Sequence, residues 1–213
     1  THNNAETLLS EKIKRHTLGS PAAADALVYE EKDKSNYIWV NKSKDNRYIF
    51  IVSQATLSSE WRMIKATEPS ADFAVFAPRQ KEVLYDVTPL ADKFLVRTNL
   101  QAKNFRLMEC PLDNTDPAQW KELIPHRDSV LLEGVDAFKD FMVLQERKAG
   151  LVQLRVRSLQ NNSEHYLDFG EPTLTQRIND ANLIFSFDKL SFVLKTIARG
   201  DFLHVNPWAF VLH

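Results

Sequence analysis

A repeating strand pattern constrains this chain more than any other feature of its sequence. The segment DKFLVRTNLQAKNFRLMEC, residues 92–110, is echoed forty-seven residues later by KDFMVLQERKAGLVQLRVR, residues 139–157, so that Phe94 falls on Phe141. Both segments combine short apolar, β-branched and aromatic runs with polar turn residues, which predicts paired β-strands. The first question is whether this pair is an isolated echo or one copy of a repeating unit.

Two further segments follow the same period. NRYIFIVSQATLSSEWRMI places Tyr48 forty-six residues before Phe94, and KIKRHTLGSPAAADALVYEE lies ninety-four residues before RLMECPLDNTDPAQWKELIP. A period of about 40–50 residues that carries four short strands is typical of a β-propeller blade, whose apolar faces are buried only against neighbouring blades. We therefore predict an all-β fold, a partial β-propeller of four-stranded antiparallel blades, rather than an irregular β-sandwich with similar hairpins.

The period also predicts the domain organisation. The propeller region spans residues 8–190, and a divergent tail follows at residues 191–213. Full blades are predicted at 36–78, 81–126 and 128–170, with partial blades at 8–31 and from 172 onward. The aromatic residues that recur at the blade period are predicted to form the core between blades: Trp61, Phe94, Phe105 and Phe141. Because the chain has five glycines, we expect Asn and Asp to occupy the turn positions with positive φ.

Charge and composition exclude several classes of function. The 27 basic and 28 acidic residues nearly cancel, which argues against nucleic acid or an anionic membrane as a partner. No apolar run approaches the ~20 residues of a membrane span. Cys110 is the single cysteine, which excludes an intrachain disulfide and favours a reducing compartment, so a cytoplasmic location is expected. The mixed charge runs YEEKDK and QERK are interpreted as solvated blade edges.

No catalytic, cofactor-binding or metal-binding residue is predicted. The glycines do not flank a serine in the Gly-x-Ser-x-Gly spacing of a strained nucleophile turn. The six histidines are scattered, without zinc-ligand spacing or companion cysteines. His126 is interpreted as a turn residue, and Cys110 as a small buried hydrophobe with no basic neighbour that would lower its pKa. No phosphate-binding loop occurs either, so no cofactor is expected.

Several segments resemble a known family. KIKRHTLG, LVYEEKD, AKNFRLMECPL, WKELIPHRDSVLLEGVDAF and VLQERKAGLVQLRV are similar to the propeller domain of the oligopeptidase B (protease II) branch of the prolyl oligopeptidase family. The similarity runs from about Leu8 to Phe187 and then fades. It implies a serine peptidase in which a seven-bladed propeller covers an α/β-hydrolase domain, admits short peptides and excludes folded proteins. The hydrolase domain of that family cuts after Arg or Lys, and none of its triad has a counterpart in this sequence.

Two functional hypotheses remain. In the first, the chain is a non-catalytic fragment of the substrate-gating propeller, inactive as a peptidase on its own, whose channel is lined by first-strand side chains such as those of YIWV and LLEGV. Its partners would be the missing hydrolase domain and, through the parent enzyme, short basic peptides. In the second, the chain is a stand-alone propeller that binds a peptide or protein partner. Either way, uncovered blade edges and faces predict self-association.

Overall fold

The computed structural model describes residues 2–3, 9–167, 178–179 and 182–183, and these contain β-strands and two single-turn 3-10 helices but no α-helix. The first three strands form one antiparallel sheet, here called the N-terminal sheet: β1 (His2–Asn3), β2 (Ser10–Arg15) and β3 (Ala26–Glu30). The 3-10 turns lie at Ala22–Ala24 and Pro117–Gln119. No helix of the described residues is long and apolar enough to cross a membrane.

Three four-stranded antiparallel sheets follow, each with its strands in chain order. The first blade contains β4 (Tyr37–Lys42), β5 (Tyr48–Gln54), β6 (Ser59–Lys65) and β7 (Ala74–Val75). The second blade contains β8 (Tyr85–Leu90), β9 (Lys93–Thr98), β10 (Arg106–Pro111) and β11 (Lys121–Ile124). The third blade contains β12 (Val130–Ala137), β13 (Phe141–Lys148), β14 (Leu151–Ser158) and β15 (Glu164–Tyr166). The predicted all-β fold of four-stranded blades is confirmed.

Side chains on both faces of the blades are buried, which explains why the second strands read as continuous apolar runs. In β5 the consecutive residues Phe50, Ile51, Val52 and Ser53 are all buried. Successive side chains of a strand point to opposite faces, so both faces of this sheet must be covered. Ile51 packs towards the N-terminal sheet with Ile13, whereas Phe50 and Val52 pack towards the second blade.

The chain divides into two compact units, one formed by residues 1–102 and 107–125 and the other by residues 103–106 and 126–213. The core of the first unit is an aromatic cluster between the first and second blades. Phe94 lies fully buried in it, with its ring centroid 5.1 Å from that of Tyr48 and 5.1 Å from that of Phe76. Such tilted and edge-on pairs stabilise a core beyond the area they bury.

The second unit contains the third blade. On one face of this sheet Val143, Leu154 and Val156 form a buried cluster. The backbone of the short segment 103–106 joins the blade at its first strand, where the Leu132 amide donates to the Asn104 carbonyl over 3.0 Å. The Asn104 side chain in turn donates to the carbonyls of residues 127 and 128 just before that strand.

The repeat differs by one residue from the predicted alignment of Phe94 with Phe141. In the second blade, Lys93 is the first residue after the two-residue turn that follows the first strand. In the third blade Phe141 occupies this position, because its carbonyl accepts from the Phe138 amide across the turn. Phe94 therefore corresponds to Met142, which is also fully buried. Because a shift of one residue moves a strand side chain to the opposite face, Phe141 is only partly buried and stacks on Phe138 of its own hairpin.

Two other predictions about local geometry are wrong. Phe105, predicted to lie in the core between blades, is only half-buried and lies in the turn before β10 with φ 60°. Asn and Asp also do not dominate the positive-φ turns, since two of the seven described non-glycine residues with positive φ are Asn and none is Asp. The non-glycine residues concerned, among those described, are Asn46, Glu82, Ala91, Gln101, Phe105, Ala149 and Asn162.

Two predicted regions cannot be compared with the structure. The partial blade from 172 onward lies outside the described residues except for the short hairpin of β16 (Ile178–Asn179) and β17 (Asn182–Leu183). The divergent tail at 191–213 lies outside them entirely.

Candidate functional site

The first strand of each blade is an edge strand, because it pairs with the second strand on one side only. The first strands of propeller blades commonly face the channel, so the exposed side chains of these edges are candidate ligand contacts within each unit. Of the predicted lining residues in YIWV, Tyr37 is 59% exposed and Val40 is also exposed, whereas Ile38 is buried. In LLEGV, Leu132 is buried and Glu133 is half-buried. The strands thus supply both lining residues and core residues.

Carboxylates on the first strands of the second and third blades are held by the neighbouring strand. Asp86 on β8 accepts from Arg97 Nε over 2.8 Å and pairs with its Nη2 over 2.6 Å. Glu133 on β12 accepts from Arg147 Nε over 2.6 Å and from Gln145 Nε2 over 3.0 Å. These pairs are partly exposed and contribute little to stability. They give the edge a polar but locally compensated character.

A buried carboxylate joins the N-terminal sheet to the first blade. Glu31 follows β3, and its side chain is 8% exposed. Its Oε2 accepts from Ser53 Oγ on β5 over 2.5 Å and from Arg79 Nη2 over 2.7 Å, and Arg79 also donates to Ser53 Oγ over 2.7 Å. We call Glu31, Ser53 and Arg79 the Glu31 latch. Burial raises the pKa of Glu31, but the hydrogen bonds from Ser53 and Arg79 outweigh burial and hold the pKa at about 2.

A second buried carboxylate lies inside the third blade. Glu146 on β13 is fully buried and accepts from Arg127 and, over 2.5 Å, from Arg155 Nη2 on β14. Tyr166 on β15 donates to Glu146 Oε2 over 2.8 Å. We call these four residues the Glu146 network. Burial raises the pKa of Glu146, but the hydrogen bonds from Arg127 and Tyr166 together outweigh burial. The pKa of Glu146 therefore lies below its usual value.

Both carboxylates belong to charge runs predicted to be solvated blade edges, and for Glu31 and Glu146 that prediction is wrong. A signal for Glu146 was present in the sequence. It continues the alternation of Met142 and Leu144, two fully buried positions on the same face of β13. Glu31 has no such signal, because its partners Ser53 and Arg79 are distant in sequence and meet it only in the folded sheets.

Among the described residues, no group of three or more His, Cys, Asp or Glu side chains is placed to hold a metal ion. Cys110 is buried as predicted, and burial, with a smaller contribution from Glu109, raises its pKa to about 11. The thiol therefore stays protonated at neutral pH and is a poor nucleophile. His126 lies between β11 and β12, outside the strands as predicted, with Nδ1 3.8 Å from Asp128 Oδ1.

Three successive four-stranded antiparallel sheets with their strands in chain order are the arrangement of β-propeller blades. Comparison with known families gives the same result, because the family model for the prolyl oligopeptidase N-terminal β-propeller domain matches residues 1–188. The chain belongs to this family.

Several relatives carry peptidase names. Dipeptidyl aminopeptidase BI of Pseudoxanthomonas mexicana is 42% identical over 161 residues, which are 75% of this chain and 22% of that protein. Protease 2 of Moraxella lacunata is 30% identical over 161 residues, which are 76% of this chain and 23% of that protein. This chain therefore spans roughly a quarter of the length of these relatives.

Solved structures of oligopeptidases are similar in fold to this chain. Oligopeptidase B from Trypanosoma brucei, in a closed form with covalently bound antipain, is 26% identical with a TM-score of 0.72, covering 78% of this chain and 25% of that one. Oligopeptidase B from Leishmania major, at 24% identity, has a TM-score of 0.73 and covers 80% of this chain and 25% of that one. The Leishmania likeness supports the fold, and the Trypanosoma likeness supports the family as well.

Proposed function

We propose that this chain is part of the substrate-gating propeller of a serine oligopeptidase that cleaves short peptides after Arg or Lys. The observation that carries the proposal is the match of the propeller-domain model to residues 1–188, together with 30% identity to a protein named Protease 2. The chain would contribute no catalytic group. It would form part of the wall that a substrate passes before it reaches a separate hydrolase domain.

The physical basis of such a filter is the rigid packing between its first and second blades. Phe50, Phe94 and Trp120 belong to one buried aromatic cluster that spans the first and second blades, and packed cores of this kind do not deform continuously. A flexible peptide can adapt its shape to a narrow passage at a modest cost in conformational entropy, whereas a folded protein would first have to unfold. A passage bordered by this rigid packing and by compensated surface charges therefore selects by size rather than by tight binding.

The filter is tested by exchanging residues 9–167 into the corresponding part of Moraxella lacunata Protease 2. We expect the chimera to cleave a four-residue basic peptide with kcat/KM within about tenfold of the unaltered relative, and to leave a folded protein with surface Arg and Lys intact. The matched control is the same chimera with Phe94→Ala, which removes the centre of the aromatic cluster. A correctly folded chimera that digests the folded protein as fast as the peptide would contradict the filter.

The 42% identity to a dipeptidyl aminopeptidase supports a second candidate, in which the parent enzyme releases dipeptides from free N-termini. Sequencing the gene beyond the codon for His213 separates these enzymes from the stand-alone binding propeller. A hydrolase reading frame with a Gly-x-Ser-x-Gly turn supports an enzyme, and its absence supports the stand-alone module. If the frame is present, the expressed enzyme is assayed on an N-terminally blocked di-arginine substrate. Turnover supports cleavage after Arg, and turnover of the unblocked form only supports dipeptide release.

We further propose a cytoplasmic location, supported by the single buried cysteine. The isolated chain is expected to self-associate through strand edges and blade faces that a complete ring would cover. Light scattering over a wide range of concentrations tests this. Growth of the mean mass with concentration supports the proposal, and a constant monomer mass contradicts it.

A further inference from the structure

Two seams between neighbouring sheets lie within the first unit, and they differ strongly in composition. The seam between the first and second blades contains the large aromatic cluster, including Phe50, Phe94 and Trp120. Among the described residues, the buried apolar cluster in the seam between the N-terminal sheet and the first blade consists of Ile13, Ile38 and Ile51. Partly buried side chains of Val28, Tyr29 and Phe73 border this smaller cluster. Because apolar burial scales with area, the second seam is the weaker of the two.

Polar contacts hold the weaker seam at both ends. At one end the Glu31 latch joins the residue after β3 to Ser53 on β5 and to Arg79 in the connection between the first two blades. At the opposite end of the β2–β3 pair, Arg15 Nη1 donates to the Pro69 carbonyl of the first blade over 2.7 Å. Between these ends the Arg62 guanidinium lies over the Tyr29 ring, 4.9 Å from its centroid.

We propose that the seam between the N-terminal sheet and the first blade is the place where this propeller wall opens, and that the Glu31 latch controls the opening. Water can replace polar contacts when a seam parts, so they contribute less net stability than their number suggests. A large apolar cluster has no such substitute. Local opening is drawn from the least stable parts of a fold, which assigns it to the isoleucine seam and leaves the aromatic seam closed.

Opening there would widen the wall sideways and admit a peptide without separating the first blade from the second. This consequence depends on the proposed filter function, whereas the location of the opening depends only on the packing within this chain. Arg79 is therefore a positioning residue, because it sets the relative placement of two sheets and touches no substrate.

The test is amide hydrogen exchange of the full 213-residue chain, followed by mass spectrometry of peptides covering each strand. In the unaltered chain we expect β2, β3 and β4 to exchange as a group before β5 and β9. In the Arg79→Met variant, exchange in β2, β3 and β4 should become about tenfold faster or more, because Glu31 loses a charged hydrogen-bond donor. Strands β12 to β14 should be unchanged.

The matched control is Arg127→Met, which removes the corresponding arginine from the Glu146 network inside the third blade. It should speed exchange in β13 to β15 and leave β2 to β4 unaffected. If Arg79→Met unfolds the chain, Glu31→Gln replaces it, because this change keeps the shape of the side chain and removes only its charge. The same faster exchange in β2 to β4 is then expected. Unchanged exchange in β2 to β4, or an equal increase in β8 to β10, would overturn the seam assignment. If hydrogen exchange shows the expected opening of the seam, but the chimera with Protease 2 digests a folded protein, the filter is contradicted and the seam assignment stands.

Discussion

The hydroxyl of Tyr85 offers a sharp test of the core between the first and second blades. Tyr85 begins β8, and its OH donates to the Ala77 carbonyl over 2.7 Å and accepts from the Trp61 amide over 2.9 Å. The ring lies in the aromatic cluster, 5.9 Å from the Trp120 ring between centroids. Burial, although opposed by the hydrogen bond from the Trp61 amide, raises the pKa of this phenol, so it stays protonated as a donor at all practical pH values.

The substitution Tyr85→Phe keeps the ring and removes both hydrogen bonds. The Trp61 amide and the Ala77 carbonyl then lose their hydrogen bonds to the hydroxyl. Each buried polar group without a partner lowers the free energy of unfolding by about 1–3 kcal/mol. We therefore expect the free energy of unfolding to fall by about 2–4 kcal/mol, a large part of the total stability of a domain of this size. The control is Tyr37→Phe, because Tyr37 is 59% exposed. That change should stay within about 0.5 kcal/mol.

Urea unfolding followed by circular dichroism measures the free energy of unfolding of both variants. The comparison requires that the slope of this free energy against urea concentration is the same as in the unaltered chain. If Tyr85→Phe and Tyr37→Phe are equally stable, the hydroxyl does not bridge these two backbone groups, and the assigned contact between β6 and β8 is wrong.

Three further predictions concern titration and reactivity. The pKa of Glu31 is lowered from 4.5 to about 2, so its stabilising contribution is complete above 4.5 and is lost as the pH falls towards 2; urea titrations should show a smaller loss over this range in Glu31→Gln. Cys110 should resist alkylation by iodoacetamide at pH 8 in the folded chain and react once urea unfolds it, because its pKa is raised to about 11; rapid labelling of the folded chain would contradict its burial. The purified 213-residue chain should not hydrolyse a fluorogenic di-arginine substrate, since its sequence contains no Gly-x-Ser-x-Gly turn that would expose and orient a serine nucleophile; turnover that disappears on mutating one of its own serines would refute this.

The strand content of the fold was predictable because blade packing leaves a direct mark on the sequence. Consecutive buried residues such as Phe50 to Val52 occur only where both faces of a sheet are covered, and they recur with the blade period. The alignment of Phe94 with Phe141 failed because the structurally equivalent residues, Phe94 and Met142, are forty-eight residues apart rather than forty-seven. Aromatic identity at a similar spacing does not reveal a shift of one residue.

The buried carboxylates were harder to predict for a different reason. A sequence shows which residues are charged, but it does not show which of them lies within reach of a distant partner. Arg79 and Ser53 are far from Glu31 along the chain and meet it only after two sheets have packed. Glu146 was closer to prediction, because strand alternation alone places it on a buried face.

The most direct test of the account is the strand register in two different blades, measured by proton nuclear Overhauser effects in solution. Val52 pairs with Trp61 in the first blade, and Gln145 pairs with Leu154 in the third. In both pairs the backbone groups of the second residue point away from the first, since Trp61 and Leu154 accept from Phe76 and Leu167 on the far side. Such non-hydrogen-bonded pairs bring their Cα atoms to about 4.5 Å.

The account predicts strong Hα–Hα cross-peaks for both pairs, at equivalent places in the two blades. Cross-peaks displaced by one residue in either blade, or present in one blade and absent from the other, would contradict a chain built from repeated four-stranded blades.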